Sequence, residues 1–338
     1  MSKQLLLGIE TSCDDTAVAL VRDGRRIVAQ EIVSQTKDHQ KMGGVVPEVA
    51  SRLHVEVLVP TLQKVLSQAS VSPPELEAIA VTDGPGLVGS LLSGVMVAKT
   101  LAWVYRLPLV PVHHVAGHIY AAHLVEPLTF PLVALVVSGG HTELVQMPQH
   151  GIFHRLGKTR DDAAGEAFDK VARMLGLPYP GGPPLEELAK QGNPSACPLP
   201  RAWLPSTPLS FSFSGLKTAV WQWLQRDPNV AAVDVAASFQ EAVIEVLAEK
   251  AMRALKHTRA QRLVVVGGVA ANERLRMILK SLCEQASVRL TIPPPVLCTD
   301  NAAMIAAAGT YLHRNGISAP LTLTPVSQRS FATEIIGE

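Results

Sequence analysis

Cysteine is scarce in this chain. There are four in 338 residues, Cys13, Cys197, Cys283 and Cys298, far apart and with no CxxC pair. That argues against a disulfide framework and against a cysteine zinc site, and free thiols suit a reducing compartment. Charge is thin as well: charged residues make up 17% and the net charge is +1. The strongly basic balance of a stand-alone nucleic-acid binder is missing, so an RNA substrate would need a local basic surface or a partner's. No stretch reaches the ~18 consecutive apolar residues of a membrane span. The opening MSKQLLLGIE has too short an apolar run for a signal peptide. A soluble, cytoplasmic protein with no membrane association is the expectation. The phosphate-binding pattern GxxxxGK[ST] is absent, which excludes a P-loop.

What is present is hydrophobic: 47% of the residues, enough for a sizeable core, in a length that fits about two domains. LLLGI (5–9), AVALV (17–21) and RIVAQEIVS (26–34) read as an antiparallel meander, with Asp23-Gly24 as a hairpin turn. Residues 47–69 show helical spacing, LEAIAV (76–81) is a strand, a helical run reaches Tyr105, PLVPV (108–112) is a strand, and 113–123 looks helical. The order then restarts. FPLVALVV and TELVQM form a hairpin, followed by helices near 163–175, 214–224 and 234–257 and a strand at 262–266. ANERLRMILK reads as the next helix, then a strand near 288–292 and the closing helix AAMIAAAGTYLHR. Two related α/β lobes with mixed sheets follow from that order. The first takes residues 1–130 plus about 299–330. The second takes 131–298, with a proline-rich insert near 178–210 expected to be partly mobile. A cleft between the lobes is the expected ligand site.

Several short patterns carry chemistry. His114 and His118 lie four apart, which puts both imidazoles on one helix face, where they can share a metal. Two ordinary histidines would look the same. No glutamate stands between them as in HExxH, so a zinc protease would lack its general base. Asp300, at a loop-to-helix junction, is the best third ligand, although an aspartate there can equally be a helix N-cap. The turns 11–16 and 138–142 offer backbone N–H groups and hydroxyls that can cradle phosphate oxygens. They also carry Asp14, Asp15 and His141, the candidate catalytic residues. Plain hairpin turns prefer the same residue types. Gly267-Gly268 leads from a strand into a helix past Asn272, where a ligand can approach the backbone. Asp169 on the 163–175 helix can meet a substrate or can simply belong to an acidic helix start.

Together these segments resemble the tRNA N6-adenosine threonylcarbamoyltransferase family, formerly called glycoproteases. GIETSCDDTAVAL, GGVVPEVASRLH, GPGLVGSLLSG, VPVHHVAGHIYA, LVVSGGHTELV, DDAAGEAFDKVARMLGL, YPGGP, FSFSGLKT, VVGGVAAN and CTDNAAMIA stand in the family's order from Gly8 to about Ala308. Asp15 stands where many relatives carry Glu, and Ala302 where many carry Gly. The resemblance implies an actin/Hsp70/sugar-kinase type fold and a bacterial or organellar form. It implies one divalent metal, iron in preference to zinc, on His114, His118 and Asp300. It implies that Val136, Val137, Ser138, Gly139, Gly140, Asp169, Gly182 and Asn272 line a site for threonylcarbamoyl-adenylate or for ATP or ADP. The implied reaction is transfer of threonylcarbamoyl to N6 of adenosine 37 in tRNAs reading codons that start with A. The implied partners are tRNA, an inactive paralogue that forms a heterodimer, and a small ATPase. An ATPase or phosphotransferase of the same fold is the alternative, and it has no need of the histidine pair.

Overall fold

The computed structural model describes residues 4–329. In chain order the elements are β1 (Leu5–Glu10), β2 (Asp15–Arg22), β3 (Arg26–Ser34), α1 (Thr36–Gln40), α2 (Pro47–Ala69), β4 (Ala78–Gly84), α3 (Val88–Tyr105), β5 (Leu109–His113) and α4 (His114–Val125). There follow β6 (Leu132–Val137), β7 (Thr142–Gln149), β8 (Ile152–Lys158), α5 (Ala164–Met174), α6 (Gly182–Ala189), α7 (Ser214–Arg226) and α8 (Ala232–Thr258). The chain continues with β9 (Arg262–Val266), α9 (Glu273–Gln285), β10 (Arg289–Thr291), α10 (Pro295–Cys298) and α11 (Ala302–Arg314). They form two compact units. Of the described residues, one holds those up to Leu128, His150–Ile152 and those from Thr299 to Arg329; the other holds Thr129–Gln149 and Phe153–Cys298.

In the first unit the sheet order is β3-β2-β1-β4-β5, with β1 antiparallel to β2 and parallel to β4. Both faces of β1 are buried, and the period of two sorts its residues. Leu5, Leu7 and Ile9 pack with Leu58, Leu62 and Val65 of α2 and Val95 and Ala98 of α3. Leu6, Gly8 and Glu10 alternate to the opposite face. There Ala302, Ala303 and Ala306 of α11 pack on Ala17, Ala19 and Val21 of β2. This seam is made of small residues so that α11 can lie close to the sheet. A Cβ on Gly8 would run into the Ala302 carbonyl oxygen and sit 2.9 Å from Ala306 N. By length and composition α3 is able to cross a membrane, yet Gly94, Val95, Ala98 and Ala102 are buried on one side of it.

In the second unit the order is β10-β9-β6-β7-β8. Val133, Leu135, Val137, Leu263 and Val265 form its core with Ala236, Val243 and Leu247 of α8. The structure adds a strand that periodicity does not announce. In β8 only Phe153 and Gly157 are fully buried, so apolar alternation is weak and backbone pairing defines the element. The 178–210 insert contains the ordered helix α6. Its later part is pinned by Lys250, whose ammonium donates to the carbonyls of Ala202 and Ser210 and lies over the Phe211 ring. The ANERLRMILK helix begins later than its pattern suggests. A 3₁₀ turn covers Gly268–Ala271, and α9 starts at Glu273, because Asn272, with non-helical φ −57° and ψ 122°, is its N-cap.

Candidate active site

α4 follows β5 without a loop. Its first turn is capped by His113, whose Nδ1 accepts from Val115 N at 3.2 Å. His114 and His118 lie one turn apart, with ring centroids 4.6 Å from each other. Gly117 stands between them, and a Cβ there would come within 2.6 Å of Ile305 Cδ1. Side chains of α11 therefore pack directly on the α4 backbone here. That approach delivers Asp300, whose Oδ1 lies 3.2 Å from His118 Nε2 and 3.7 Å from His114 Nε2. The two roles open to Asp300 are separated by the structure. Asn301 is the N-cap of α11, accepting from Met304 N at 3.0 Å, so the Asp300 carboxylate is not spent on the cap.

The three ligand atoms lie within 4.8 Å of one another. Two ligands each ~2.1 Å from one ion at a tetrahedral angle stand roughly 3.4 Å apart, so the spacing fits a metal. His118 fits it too, being fully buried with no hydrogen bond at either ring nitrogen. A buried imidazole without a hydrogen bond is costly unless something else takes its lone pair. Burial opposes the charged form of His114, but the Glu10 and Asp300 carboxylates outweigh it and push its pKa up to about 9.

Glu10 is a residue that motif reading passed over. Fully buried, it accepts from Ser12 N at 2.5 Å and Thr82 Oγ1 at 2.7 Å, and lies 3.0 Å from His114 Nδ1. The available signal was an acidic residue closing an otherwise apolar strand.

The 11–15 loop belongs to the same unit. Burial first, then the neighbouring Asp300 charge, pushes the Asp15 carboxyl up to about 7. Burial raises Asp14 as well. His54 of α2 holds this loop, with Nε2 2.9 Å from the Cys13 carbonyl and Nδ1 2.6 Å from Thr16 Oγ1. Burial lowers the His54 pKa from its usual 6.5. The unfolded chain therefore takes up that proton first, and the stability contributed by neutral His54 is present above pH 6.5 and lost as pH falls. Asp15 in the same loop, its carboxyl raised by burial, contributes with the opposite sign over this range, so the His54 contribution is read as a difference. From about pH 7 to pH 5 the melting temperature of the wild type should fall relative to that of His54→Gln, which thermal melts across that range will check.

The other unit carries the remaining candidates. Val136 and Val137 are buried strand residues, so the accessible part of this segment is Ser138, Gly139 and Gly140. The turn is closed by Ser138 N donating to the His141 carbonyl at 2.8 Å and His141 N donating to Ser138 Oγ at 3.1 Å. A Cβ on Gly139, Gly140 or Gly182 would meet nothing within 4 Å. Their neighbours in the chain do not require glycine, whereas a ligand against the backbone would. Asp169 accepts from Gly181 N at 2.7 Å and so ties α5 to the start of α6. Asn272 caps α9 by accepting from Leu275 N at 3.0 Å and donates to Gln240 at 2.8 Å, which leaves one amide N–H for a ligand. Beside it lies a cavity of about 310 Å³ lined by Glu186, Lys190, Gln240, Glu241, Glu273 and Arg274. Sequence reading passed over this group because its members come from three helices.

The family-wide sequence pattern of tRNA N6-adenosine threonylcarbamoyltransferase matches residues 26–307. A protein of that name from Anoxybacillus flavithermus is 57% identical over 323 residues, 94% of each chain. Among solved structures, full-length HypF in its phosphate- and nucleotide-bound form aligns with a TM-score of 0.65 at 13% identity, over 93% of this chain and 56% of that one. Component A of the Acidaminococcus fermentans (R)-2-hydroxyglutaryl-CoA dehydratase aligns with a TM-score of 0.54 at 16% identity, over 91% and 98%. These two likenesses concern the fold alone, which is the two-sheet α/β fold of the actin/Hsp70 type. On the family pattern and the identity over nearly its full length, the chain belongs to the tRNA N6-adenosine threonylcarbamoyltransferase family.

Proposed function

We propose that this chain transfers threonylcarbamoyl from threonylcarbamoyl-adenylate to N6 of adenosine 37 in tRNAs that read codons beginning with A, in the cytoplasm. The observation that carries the reading over a phosphotransferase of the same fold is the His114, His118 and Asp300 triad. Two histidines, one carboxylate and open positions form a donor set that suits iron(II), with zinc as the other metal it would accept. Bound there, the ion supplies Lewis-acid stabilisation of negative charge.

The chain's own groups account for the remaining requirements. The donor is a mixed carbamic–phosphoric anhydride. Attack by the adenine N6 forms the N–C bond, breaks the C–O bond to phosphate and releases AMP. The backbone N–H groups of Gly139 and Gly140 suit the phosphate charge, and the cavity beside Asn272 suits the nucleoside. The exocyclic amine is a poor nucleophile and must lose a proton. Asp15, with a carboxyl pKa near neutrality, is suited to take it, with Asp14 next to it. His141 is assigned to the same chemistry from its place in the turn. The test is to incubate the purified chain with its partners, the adenylate and unmodified tRNA, then analyse nucleosides by mass spectrometry. Threonylcarbamoyladenosine is the expected product. No product from demonstrably competent partners would overturn the assignment in favour of nucleotide hydrolysis.

The partners in this reading are the tRNA, a small ATPase and an inactive paralogue. The support for the paralogue is a surface stripe on α3. Val88, Leu92, Met96 and Trp103 are exposed at spacings of four, four and seven, and Val55 and Val59 are exposed on α2, which packs against α3. A paralogue carries equivalent helices, so the two faces can pack about a pseudo-two-fold axis. Leu92→Glu with Met96→Glu should weaken heterodimer formation at least ~10-fold, the size expected when buried apolar contacts are replaced by charge. Sedimentation with the paralogue will measure it. Unchanged association would place the interface elsewhere, and loss of self-association alone would mark the stripe as a homodimer face.

A further inference from the structure

We infer that Glu10 is a positioning residue that fixes the His114 ring so that Nε2 is turned to the metal. The inference rests on the triad's being a metal site and deepens that reading.

Glu10 is on the same strand face as Gly8, the face covered by α11, and so is Thr82 on the neighbouring β4, two residues beyond Ala80, whose Cβ meets Gly309 of α11. Two sides of the Glu10 carboxylate are taken by donors, Ser12 N–H and the Thr82 hydroxyl. Its remaining near neighbour is His114 Nδ1, at 3.0 Å. An ionised carboxylate only accepts, so Nδ1 must carry the proton. When a metal displaces the other proton, the lone pair it takes is that of Nε2, the nitrogen that faces Asp300. Carboxylate–histidine–metal arrangements of this kind set the tautomer and raise ligand basicity. His118 has no such support, since neither of its ring nitrogens is hydrogen-bonded. The two ligands are therefore unequal, and the orientation of the pair depends on a buried residue of the sheet.

Ser12 Oγ is a competing partner, 3.1 Å from the same Nδ1. It can accept the Nδ1 proton or donate to the nitrogen, so by itself it does not select a tautomer. The test separates the two. Wild type, Glu10→Gln and Ser12→Ala are stripped of metal and titrated with zinc alone against a chromophoric chelator, and thermal midpoints of the metal-free forms are recorded. Glu10→Gln keeps an acceptor of the same size and removes the obligatory one. It should bind zinc about 10–100-fold more weakly, while Ser12→Ala stays within about threefold. Equal affinity in Glu10→Gln and wild type, or a larger loss in Ser12→Ala, overturns the inference. Failure of wild type to bind zinc would instead count against the metal site itself. If Glu10→Gln does not fold, the zinc-loaded wild type decides through ¹⁵N-histidine spectra. His114 should be protonated at Nδ1 and metallated at Nε2, and the reverse pattern sinks the assignment.

Discussion

Replacing His114 and His118 together by alanine is expected to abolish metal binding and to lower threonylcarbamoyl transfer by about a thousandfold or more, since Lewis-acid stabilisation is typically worth several kcal/mol. Asp300 alone cannot hold the ion, because a single carboxylate gives neither the count nor the geometry of a structural or catalytic site. The loss should have a chemical signature. Wild type treated with a chelator should fall to the level of the double variant and recover when metal is returned, whereas the variant should not recover. Removing two buried rings also leaves a cavity, so melting temperature has to be measured alongside. A variant that melts like the wild type, binds no metal and still transfers at full rate would show that the triad is not part of the chemistry.

Much of this site was legible in the sequence, for identifiable reasons. His114 and His118 could be paired because a helix fixes the four-residue spacing regardless of context. Asp300 could be nominated from its junction but not separated from a capping role. Only the backbone path showed that Asn301 takes the cap. Glu10 was out of reach by motif alone. Its meaning depends on which face of β1 meets α11, and that is set by pairing and packing rather than by local pattern. The Asn272 cavity is similar, since Glu186, Gln240 and Arg274 are 34 or more residues apart in sequence. β8 was missed because an edge strand with two fully buried residues carries almost no alternation. The helices were read best where their apolar stripes are long, as in α2 and α11.

The second large effect should come from a residue with no functional group. Gly8→Ala adds one methyl on the strand face covered by α11, where it would run into the Ala302 carbonyl and press on Ala306. Backbone cannot rotate away as a side chain can, so either β1 or the N-terminal end of α11 must move. Overpacking of this kind costs about 1–3 kcal/mol, or roughly 2–12 °C in melting temperature for a unit of this size. The displacement falls two residues after Asp300, so metal affinity should fall with stability. Gly139→Ala is the control. It lies in the 138–140 turn, where an added Cβ meets nothing within 4 Å, and its melting temperature and metal affinity should match the wild type. Thermal melts and zinc titrations on both variants provide the comparison. A Gly8→Ala protein with wild-type stability and affinity would mean that α11 is held less tightly against β1 than the small-residue seam requires. The metal site would then owe its geometry to the α4–α11 contact at Gly117 alone.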